Sequence, residues 1–163
     1  MTDIYQFLAD HNIGYARHDH PPVFTCEEAD RLVPHLHAAK TKNLFLRDHK
    51  GRRHFLVIVG YEKTVDLKAL RDLLGSSKLS LGSAERLQKY LGVTPGAVSL
   101  LALVNDADKE VEVIFDEDLW QAKAFRFHPL VNTSTLVISR DNIERFLQLT
   151  EHEVRIFNIP GRQ

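Results

Sequence analysis

Two short polar segments, far apart in the chain, carry the residue types best placed to do chemistry. The first is TKNLFLRD at 41–48, in which Lys42 offers a positive charge and Asn43 offers both a donor and an acceptor. The second is FHPLVNT at 127–133, in which His128 offers an imidazole. Each segment sets its polar groups beside an apolar stretch that predicts a buried strand. Because strands fix side chains rigidly, we predict a functional site at these strand ends.

The elements that position these segments follow from periodicity and capping residues. Strand patterns occur at 15–18, 43–47, 55–59, 98–104, 111–115, 124–127, 135–139 and 154–157. Helix patterns begin at Asp3, Thr25, Asp66, Ser83 and Asp141, and two of them end at Gly75 and Gly92. Tight turns at 50–51 and 106–108 join successive strands. We therefore predict an α+β fold in which helices pack on a mixed, mainly antiparallel sheet, and we exclude a doubly wound parallel sheet.

Length and composition predict a single domain that spans residues 1–163, since the chain is 44% hydrophobic and 26% charged. Residues 1–11 show an amphipathic helix pattern and not a signal peptide. No stretch approaches the roughly 20 apolar residues that span a membrane. The one cysteine, Cys26, has no partner for an internal disulfide, which suits a reducing compartment. We expect a cytoplasmic protein.

Charge is unevenly distributed although the formal net charge is −1. Residues 40–53 hold six Lys or Arg residues against one Asp, and residues 106–118 hold seven Asp or Glu residues against one Lys. A basic face and an acidic face would orient the protein on a phosphate backbone. Two solvated turns explain the same charge runs equally simply.

The sequence resembles the YbaK/ProX family, the free-standing relatives of the editing domain of bacterial prolyl-tRNA synthetase. Besides the two polar segments, the matching motifs are HPPVF at 20–24, VDLK at 65–68, GSSKLSLG at 75–82, GVTPGAVS at 92–99 and VND at 104–106. They occur in the family's order and cover nearly the whole chain. The wording is closest to the ProX branch, whose members hydrolyse alanine from mischarged tRNA for proline. The resemblance also implies a curved mixed sheet with surrounding helices.

This resemblance implies roles for three residues in catalysis. Lys42 would hold the phosphate of the 3′-terminal adenosine, a task that suits a compact ammonium group. Gly96 would let backbone donors approach the aminoacyl carbonyl and stabilise a developing oxyanion. His128 would orient the ribose or a water, and it need not be a strong base because the ester is already reactive. By residue type alone, Lys42 fits a surface lysine and His128 fits a strand end.

Five further residues are candidates for binding the aminoacyl end of the substrate: Asn43, Val23, Phe24, Ser99 and Asn132. Val23 and Phe24 are either core or pocket wall. A small pocket would admit alanine and exclude proline, which a synthetase for proline cannot achieve at its own active site because a few methylene groups change binding by only about 1–3 kcal/mol. Asn132, with its neighbour Thr133, is expected to support the loop after His128.

Lys78, Arg86 and Lys89 are the predicted contacts to the tRNA acceptor stem. Lys78 matches a basic position that the family uses there. Arg86 and Lys89 share a helix face because they lie three residues apart, although both are equally well explained as plain surface residues. The predicted partner is thus aminoacyl-tRNA, with prolyl-tRNA synthetase as a further possibility. No helix-turn-helix pattern indicates DNA binding.

Three alternatives stay open on the sequence. The same reaction could act on cysteinyl- or seryl-tRNA, or the chain could be a non-catalytic RNA-binding module. A metal hydrolase is disfavoured, because the pairs His18/His20 and His35/His37 come without an HExxH or CxxC motif. No GxSxG elbow, P-loop or GxGxxG motif is present, so we expect neither a covalent hydrolase nor a cofactor or metal.

Overall fold

The computed structural model of the chain describes residues 3–22 and 38–162. Its α-helices are α1 (Ile4–Asp10), α2 (Leu67–Leu74), α3 (Ala84–Leu91), α4 (Glu117–Trp120) and α5 (Arg140–Leu149). Its strands are β1 (Ala16–Asp19), β2 (Ala39–Arg47), β3 (His54–Gly60), β4 (Ser80–Leu81), β5 (Val111–Asp116), β6 (Ala124–Phe127), β7 (Ser134–Ser139) and β8 (Val154–Phe157). Two 3₁₀ helices, Pro95–Ala97 and Leu100–Asn105, follow α3.

All eight of these strands form one mixed sheet in the order β1-β7-β6-β2-β3-β5-β8, with the short β4 paired to β2. The pairs β1/β7, β6/β7, β2/β3 and β2/β4 are antiparallel. The pairs β2/β6, β3/β5 and β5/β8 are parallel. The predicted α+β class with a mixed sheet is confirmed, and so is the predicted hairpin of β2 and β3.

Both faces of the sheet are covered, because successive strand residues point to opposite sides. Phe45 joins a large core cluster to which α1, α3, the second 3₁₀ helix and α5 contribute. Its neighbour Leu46 joins a smaller cluster on the other face, to which α2 contributes Leu70 and Leu74. The apolar residues of β2 therefore pack into two separate cores, one on each face of the sheet.

Helix ends follow the local chemistry of the sequence. Asp3, Asp66 and Ser83 accept hydrogen bonds from the first-turn N–H groups of α1, α2 and α3, as predicted. Gly75 and Gly92 adopt the left-handed conformation that ends α2 and α3. For α5 the cap is Ser139, two residues before the predicted Asp141.

The predicted strand at 98–104 is wrong, because the chain forms a 3₁₀ helix there from Leu100 to Asn105. Ser99 caps this helix by accepting a hydrogen bond from the Leu101 N–H. Residues 100–103 are all buried. A short continuous apolar run has no period that separates a strand from a fully buried helix, so the sequence pattern was ambiguous at this point.

Some predictions fall outside the described residues, namely the helix at 25–32, the pocket residues Val23 and Phe24, and Cys26. Within residues 3–22 and 38–162, no helix is long and apolar enough to cross a membrane. The same residues hold no group of three or more His, Cys, Asp or Glu side chains arranged to bind a metal ion.

Candidate active site

The two polar segments lie next to each other at the point where the pairing of β2 with β6 ends. These parallel strands pair only at Ala39 with Phe125 and at Lys40 with Arg126. The Thr41 hydroxyl then donates to the Arg126 carbonyl at 2.6 Å and ends the ladder. Two positions beyond the last pair, the strands lead to Lys42 and His128. The parallel register therefore sets these two predicted catalytic residues at the same level of the sheet.

Lys42 lies in β2 opposite Val59 of β3 and is half-buried. By strand alternation its side chain lies on the same face as Leu44 and Leu46. Among the residues that the structure describes, none forms a hydrogen bond or an ion pair with its ammonium group. A half-buried lysine without a protein partner has its charge available for an anionic ligand.

Asn43 is largely occupied by the protein itself. Its Oδ1 accepts from the Leu100 N–H at 2.9 Å, and its Nδ2 donates to the Thr41 Oγ1 at 3.2 Å. Asn43 thus fastens the second 3₁₀ helix to the strand that carries Lys42. The second amide hydrogen and the second lone pair of Oδ1 are what Asn43 has left for a ligand.

Gly96 sits in the middle of the first 3₁₀ helix and is half-buried. The neighbouring Ala97 N–H donates to the Thr94 carbonyl at 2.9 Å. The Gly96 N–H has no acceptor among the described parts of the chain. A free backbone donor at this position is what an oxyanion-binding role requires.

Ser99, a predicted contact with substrate, has its hydroxyl bonded within the protein. Its side chain is fully buried, and its hydroxyl accepts from the Leu101 N–H at 3.2 Å. The hydroxyl is therefore used to start the second 3₁₀ helix. Ser99 thus has a role in the fold, and its contact with substrate stays a prediction.

His128 is held in one tautomer by a backbone carbonyl. Its Nδ1 lies 2.8 Å from the Ser134 oxygen, and since a carbonyl only accepts, Nδ1 carries the proton. Burial lowers the pKa of His128 below its usual value, an effect that the hydrogen bond to Ser134 opposes and the nearby His20 reinforces. The neutral ring then leaves Nε2 as an acceptor, for which no described residue is a donor.

The loop after His128 is shaped by an unusual backbone. Leu130 has φ = 68°, a left-handed conformation that costs energy for a residue with a branched side chain. Its side chain packs against the large core cluster. Val131 at the loop tip is 47% exposed, whereas Asn132 is half-buried and its amide has no partner among the described residues. Asn132 therefore keeps its predicted role as a candidate for substrate binding.

His20 lies beside His128, although sequence reasoning assigned it no role other than as a disfavoured metal ligand and as part of the HPPVF motif. Its ring packs edge-on against His128 with 6.2 Å between centroids. Its Nδ1 donates to the Pro21 carbonyl at 2.9 Å, and its Nε2 lies 2.8 Å from the Thr135 hydroxyl. The sequence signals for His20 were its place at the start of the HPPVF motif and its position after a strand pattern, whereas its partner Thr135 is 115 residues away.

The predicted acceptor-stem residues divide into two groups. Lys78 and Lys89 are exposed, and the Lys89 ammonium lies 5.2 Å from the centre of the Tyr90 ring. Arg86 instead donates to the Gly51 carbonyl at 3.3 Å and to the His54 Nε2 at 3.0 Å. Burial, and then the charge of Arg86, lower the pKa of His54, which keeps this imidazole a neutral acceptor. Arg86 is therefore not a plain surface residue, because it ties α3 to the turn between β2 and β3.

Several charged residues of the two sequence runs are paired within the protein, so the runs do not give two uniformly charged faces. Arg53 makes two hydrogen bonds of 2.9 Å to Glu112. Asp106 and Asp116 are buried, with His152 and Lys63 as their partners. The acidic run at 106–118 thus supplies internal contacts as well as surface charge, which corrects the expectation of one acidic face.

The mixed sheet, whose parallel strands β2 and β6 part before Lys42 and His128, is shared with solved structures. A crystal structure described as a candidate trans-editing enzyme for prolyl-tRNA synthetase superposes with a TM-score of 0.71 at 18% identity, covering 99% of both chains. At this identity the likeness shows the fold alone.

Sequence comparison shows the family. The profile of the aminoacyl-tRNA editing domain matches residues 20–146. The prolyl-tRNA editing protein ProX of Acetoanaerobium sticklandii is 43% identical over 141 residues, which cover 86% of each chain. Prolyl-tRNA synthetase associated domain-containing protein 1 of Danio rerio is 37% identical over 92% of this chain and 82% of its own. The chain belongs to the aminoacyl-tRNA editing domain family.

Proposed function

We propose that the protein is a trans-editing hydrolase that removes alanine from mischarged tRNA for proline. Family membership and the 43% identity to a prolyl-tRNA editing protein support an aminoacyl-tRNA deacylase that acts on tRNA for proline. The observation that carries the proposal is the parallel register of β2 and β6, in which Lys42 and His128 each follow the last paired residue by two positions. Within the described chain, Lys42 has a free ammonium and His128 has a free Nε2.

Each group has one task in the proposed reaction. The Lys42 ammonium binds the phosphate of the terminal adenosine and so places the ester bond. The Gly96 N–H donates to the aminoacyl carbonyl as negative charge develops on its oxygen. The His128 Nε2 accepts a hydrogen bond from the attacking water or from the neighbouring ribose hydroxyl and so orients it.

The bond changes are those of ester hydrolysis. The water oxygen bonds to the carbonyl carbon, and the bond between that carbon and the ribose oxygen breaks. One water proton passes to the ribose oxygen, and the released carboxylic acid gives up another to solvent. The products are free amino acid and free tRNA, and no redox change occurs.

Alanine is the proposed amino acid because the sequence motifs resemble those of the ProX branch, and a small pocket is part of this proposal. Val23 and Phe24 are the proposed pocket walls, and Asn43 and Asn132 are the proposed polar contacts. Cysteinyl- and seryl-tRNA are the closest competing substrates, since their side chains differ from alanine by a single heavy atom. Lys78 and Lys89 are the proposed contacts to the acceptor stem, because both are exposed.

The test is to mix the protein with tRNA for proline charged separately with alanine, proline, cysteine or serine, and to follow ester loss over time. Selective loss of alanine supports the proposal. Selective loss of cysteine or serine would keep the proposed reaction but change the amino acid that the pocket is proposed to accept. Lys42→Ala is expected to lower the rate at least tenfold. The control is Lys68→Ala, which removes an exposed lysine on α2 and is expected to leave the rate unchanged. A folded protein that cleaves none of the four substrates would favour an RNA-binding module.

We also propose prolyl-tRNA synthetase as a partner, since the names of the Danio rerio and related proteins associate this domain with that enzyme. Size-exclusion chromatography of the two purified proteins, with and without tRNA for proline, tests the association. Co-elution that requires tRNA would indicate a shared substrate rather than a protein interface.

A further inference from the structure

Thr133, Ser134 and Thr135, where β7 begins, are hydrogen-bonded by two histidines that directly follow β1 and β6. The His20 N–H donates to the Thr133 carbonyl at 2.9 Å. The His128 Nδ1 donates to the Ser134 carbonyl at 2.8 Å. The Thr135 hydroxyl lies 2.8 Å from the His20 Nε2. His20 thus holds the residues on both sides of the carbonyl that fixes His128.

The roles of donor and acceptor in this cluster follow from the carbonyl groups. The His20 Nδ1 faces the Pro21 carbonyl, so it carries the proton, and Nε2 of the neutral ring accepts from the Thr135 hydroxyl. Both ring nitrogens of His20 are therefore occupied within the protein. His20 has no free nitrogen with which to act on substrate, which distinguishes it from His128.

Burial makes this arrangement rigid. Ser134 is 2% exposed and Thr135 is 3% exposed. The Ser134 hydroxyl also contacts the His18 carbonyl at 3.4 Å, and β1 pairs with β7 from Ala16 to Asp19. Removal of the buried Thr135 hydroxyl would leave the His20 Nε2 without a hydrogen bond. The pairing of Thr135 with His20 is therefore strongly favoured.

We propose that His20 and Thr135 are positioning residues that set the tautomer of His128. They hold the Ser134 carbonyl where it accepts the His128 Nδ1 proton, so Nε2 stays unprotonated and points its lone pair away from β7. If the carbonyl moves, the alternative tautomer with a proton on Nε2 gains population and no longer accepts from a water or a ribose hydroxyl. The catalytic consequence rests on the proposed function, whereas the tautomer itself does not.

The first experiment measures the tautomer in the free protein. Nitrogen-15 NMR of the imidazole groups distinguishes a protonated Nδ1 from a protonated Nε2. In the unaltered protein, His128 is expected to show a protonated Nδ1 and a bare Nε2. Thr135→Val keeps the shape but removes the hydroxyl, and it is expected to move both shifts toward the average of the two tautomers.

Two variants control this comparison. Thr64→Val makes the same substitution at an exposed residue outside β7, and it is expected to leave the His128 shifts unchanged. Thr135→Ser restores a hydroxyl and is expected to restore the His128 shifts. If Thr135→Val gives no dispersed backbone spectrum, His20→Phe serves instead, because it keeps a ring against His128 while removing both nitrogens.

The second experiment measures deacylation by the same variants. Thr135→Val is expected to lower kcat roughly tenfold with KM within twofold, since one buried hydrogen bond that acts through His128 affects orientation and not binding. Unchanged His128 shifts in a folded Thr135→Val or His20→Phe protein would overturn the inference. If the unaltered protein cleaves no aminoacyl-tRNA while the shifts still move, the proposed function fails and the positioning role stands.

Discussion

The Oδ1 of Asn43 accepts a hydrogen bond from the N–H of Leu100 at 2.9 Å, across 57 residues of sequence. This bond joins the strand that carries Lys42 to the second 3₁₀ helix, which begins three residues after the end of the first 3₁₀ helix, the one that contains Gly96. The groups proposed to bind the phosphate and the carbonyl are therefore carried by neighbouring parts of the chain that this hydrogen bond connects to each other.

Replacing Asn43 by leucine is expected to destabilise the protein by about 1–3 kcal/mol, because the buried Leu100 N–H loses its acceptor. Urea denaturation gives the free energy of unfolding. Asn43→Asp keeps an acceptor and is expected to recover part of the loss. The control is Asn158→Leu at an exposed position, with an expected change within about 0.5 kcal/mol. Equal stability of the two leucine variants would contradict this role of Asn43.

The pH dependence of deacylation is expected to report the lowered pKa of His128. Its ordinary value is 6.5, and burial shifts it downward, so the neutral ring persists to lower pH than in an exposed histidine. The rate, corrected for spontaneous ester hydrolysis, is therefore expected to fall in acid with an inflection below pH 6.5. An inflection above 6.5 that disappears in His128→Gln would show that the ring is not protected by burial.

Substitutions of Arg86 and Lys89 are expected to have different effects, although both are basic residues of α3. The first is expected to lower stability and the second to weaken RNA binding. Arg86→Met removes the bonds to Gly51 and His54, and it is expected to lower the free energy of unfolding by about 1–3 kcal/mol. Lys89→Met removes an exposed charge and is expected to weaken binding of an acceptor-stem RNA with little change in stability.

Fluorescence anisotropy at two salt concentrations measures the RNA binding, and urea denaturation measures the stability. If Lys89→Met leaves the affinity and its salt dependence unchanged, α3 does not contact the RNA.

The buried pair of Asp106 and His152 is expected to stabilise the fold in a pH-dependent way. The two side chains are 3% and 2% exposed and lie 2.9 Å apart. Burial alone would raise the pKa of Asp106, but hydrogen bonds from His152 and from the Val111 and Glu110 N–H groups outweigh it and lower the pKa below 3.8. The folded state then binds fewer protons than the unfolded state, so this stabilisation is present above pH 3.8 and is lost as pH falls through the lowered pKa.

Asp106→Asn is therefore expected to cost about 1–3 kcal/mol at pH 7 and progressively less in acid below pH 3.8. Urea denaturation across this pH range measures the difference from the unaltered protein. Asp108→Asn, at an exposed position in the same turn, is the matched control. A cost for Asp106→Asn that does not depend on pH would assign the effect to packing rather than to charge.

Much of the fold was predictable because the signals are local. Asp66 and Ser83 accept from N–H groups only three residues away, and Gly75 ends its helix by its own backbone conformation. The hairpin of β2 and β3 follows from two alternating patterns and the short turn between them. The apolar run at 100–103 failed as a strand prediction because burial on all sides removes the period that tells strand from helix.

By itself the sequence determined which residue types are present for the chemistry, the family, and the local caps and turns, because these depend on neighbours in the chain. Only the tertiary structure decided that Ser99 caps the second 3₁₀ helix, that Arg86 bonds His54, that Asn43 bonds Leu100, and that His20 bonds Thr135. The physical reason is that a polar side chain satisfies its hydrogen bonds with whichever group the sheet order brings near. For His20 that group lies 115 residues away, beyond the reach of any local pattern.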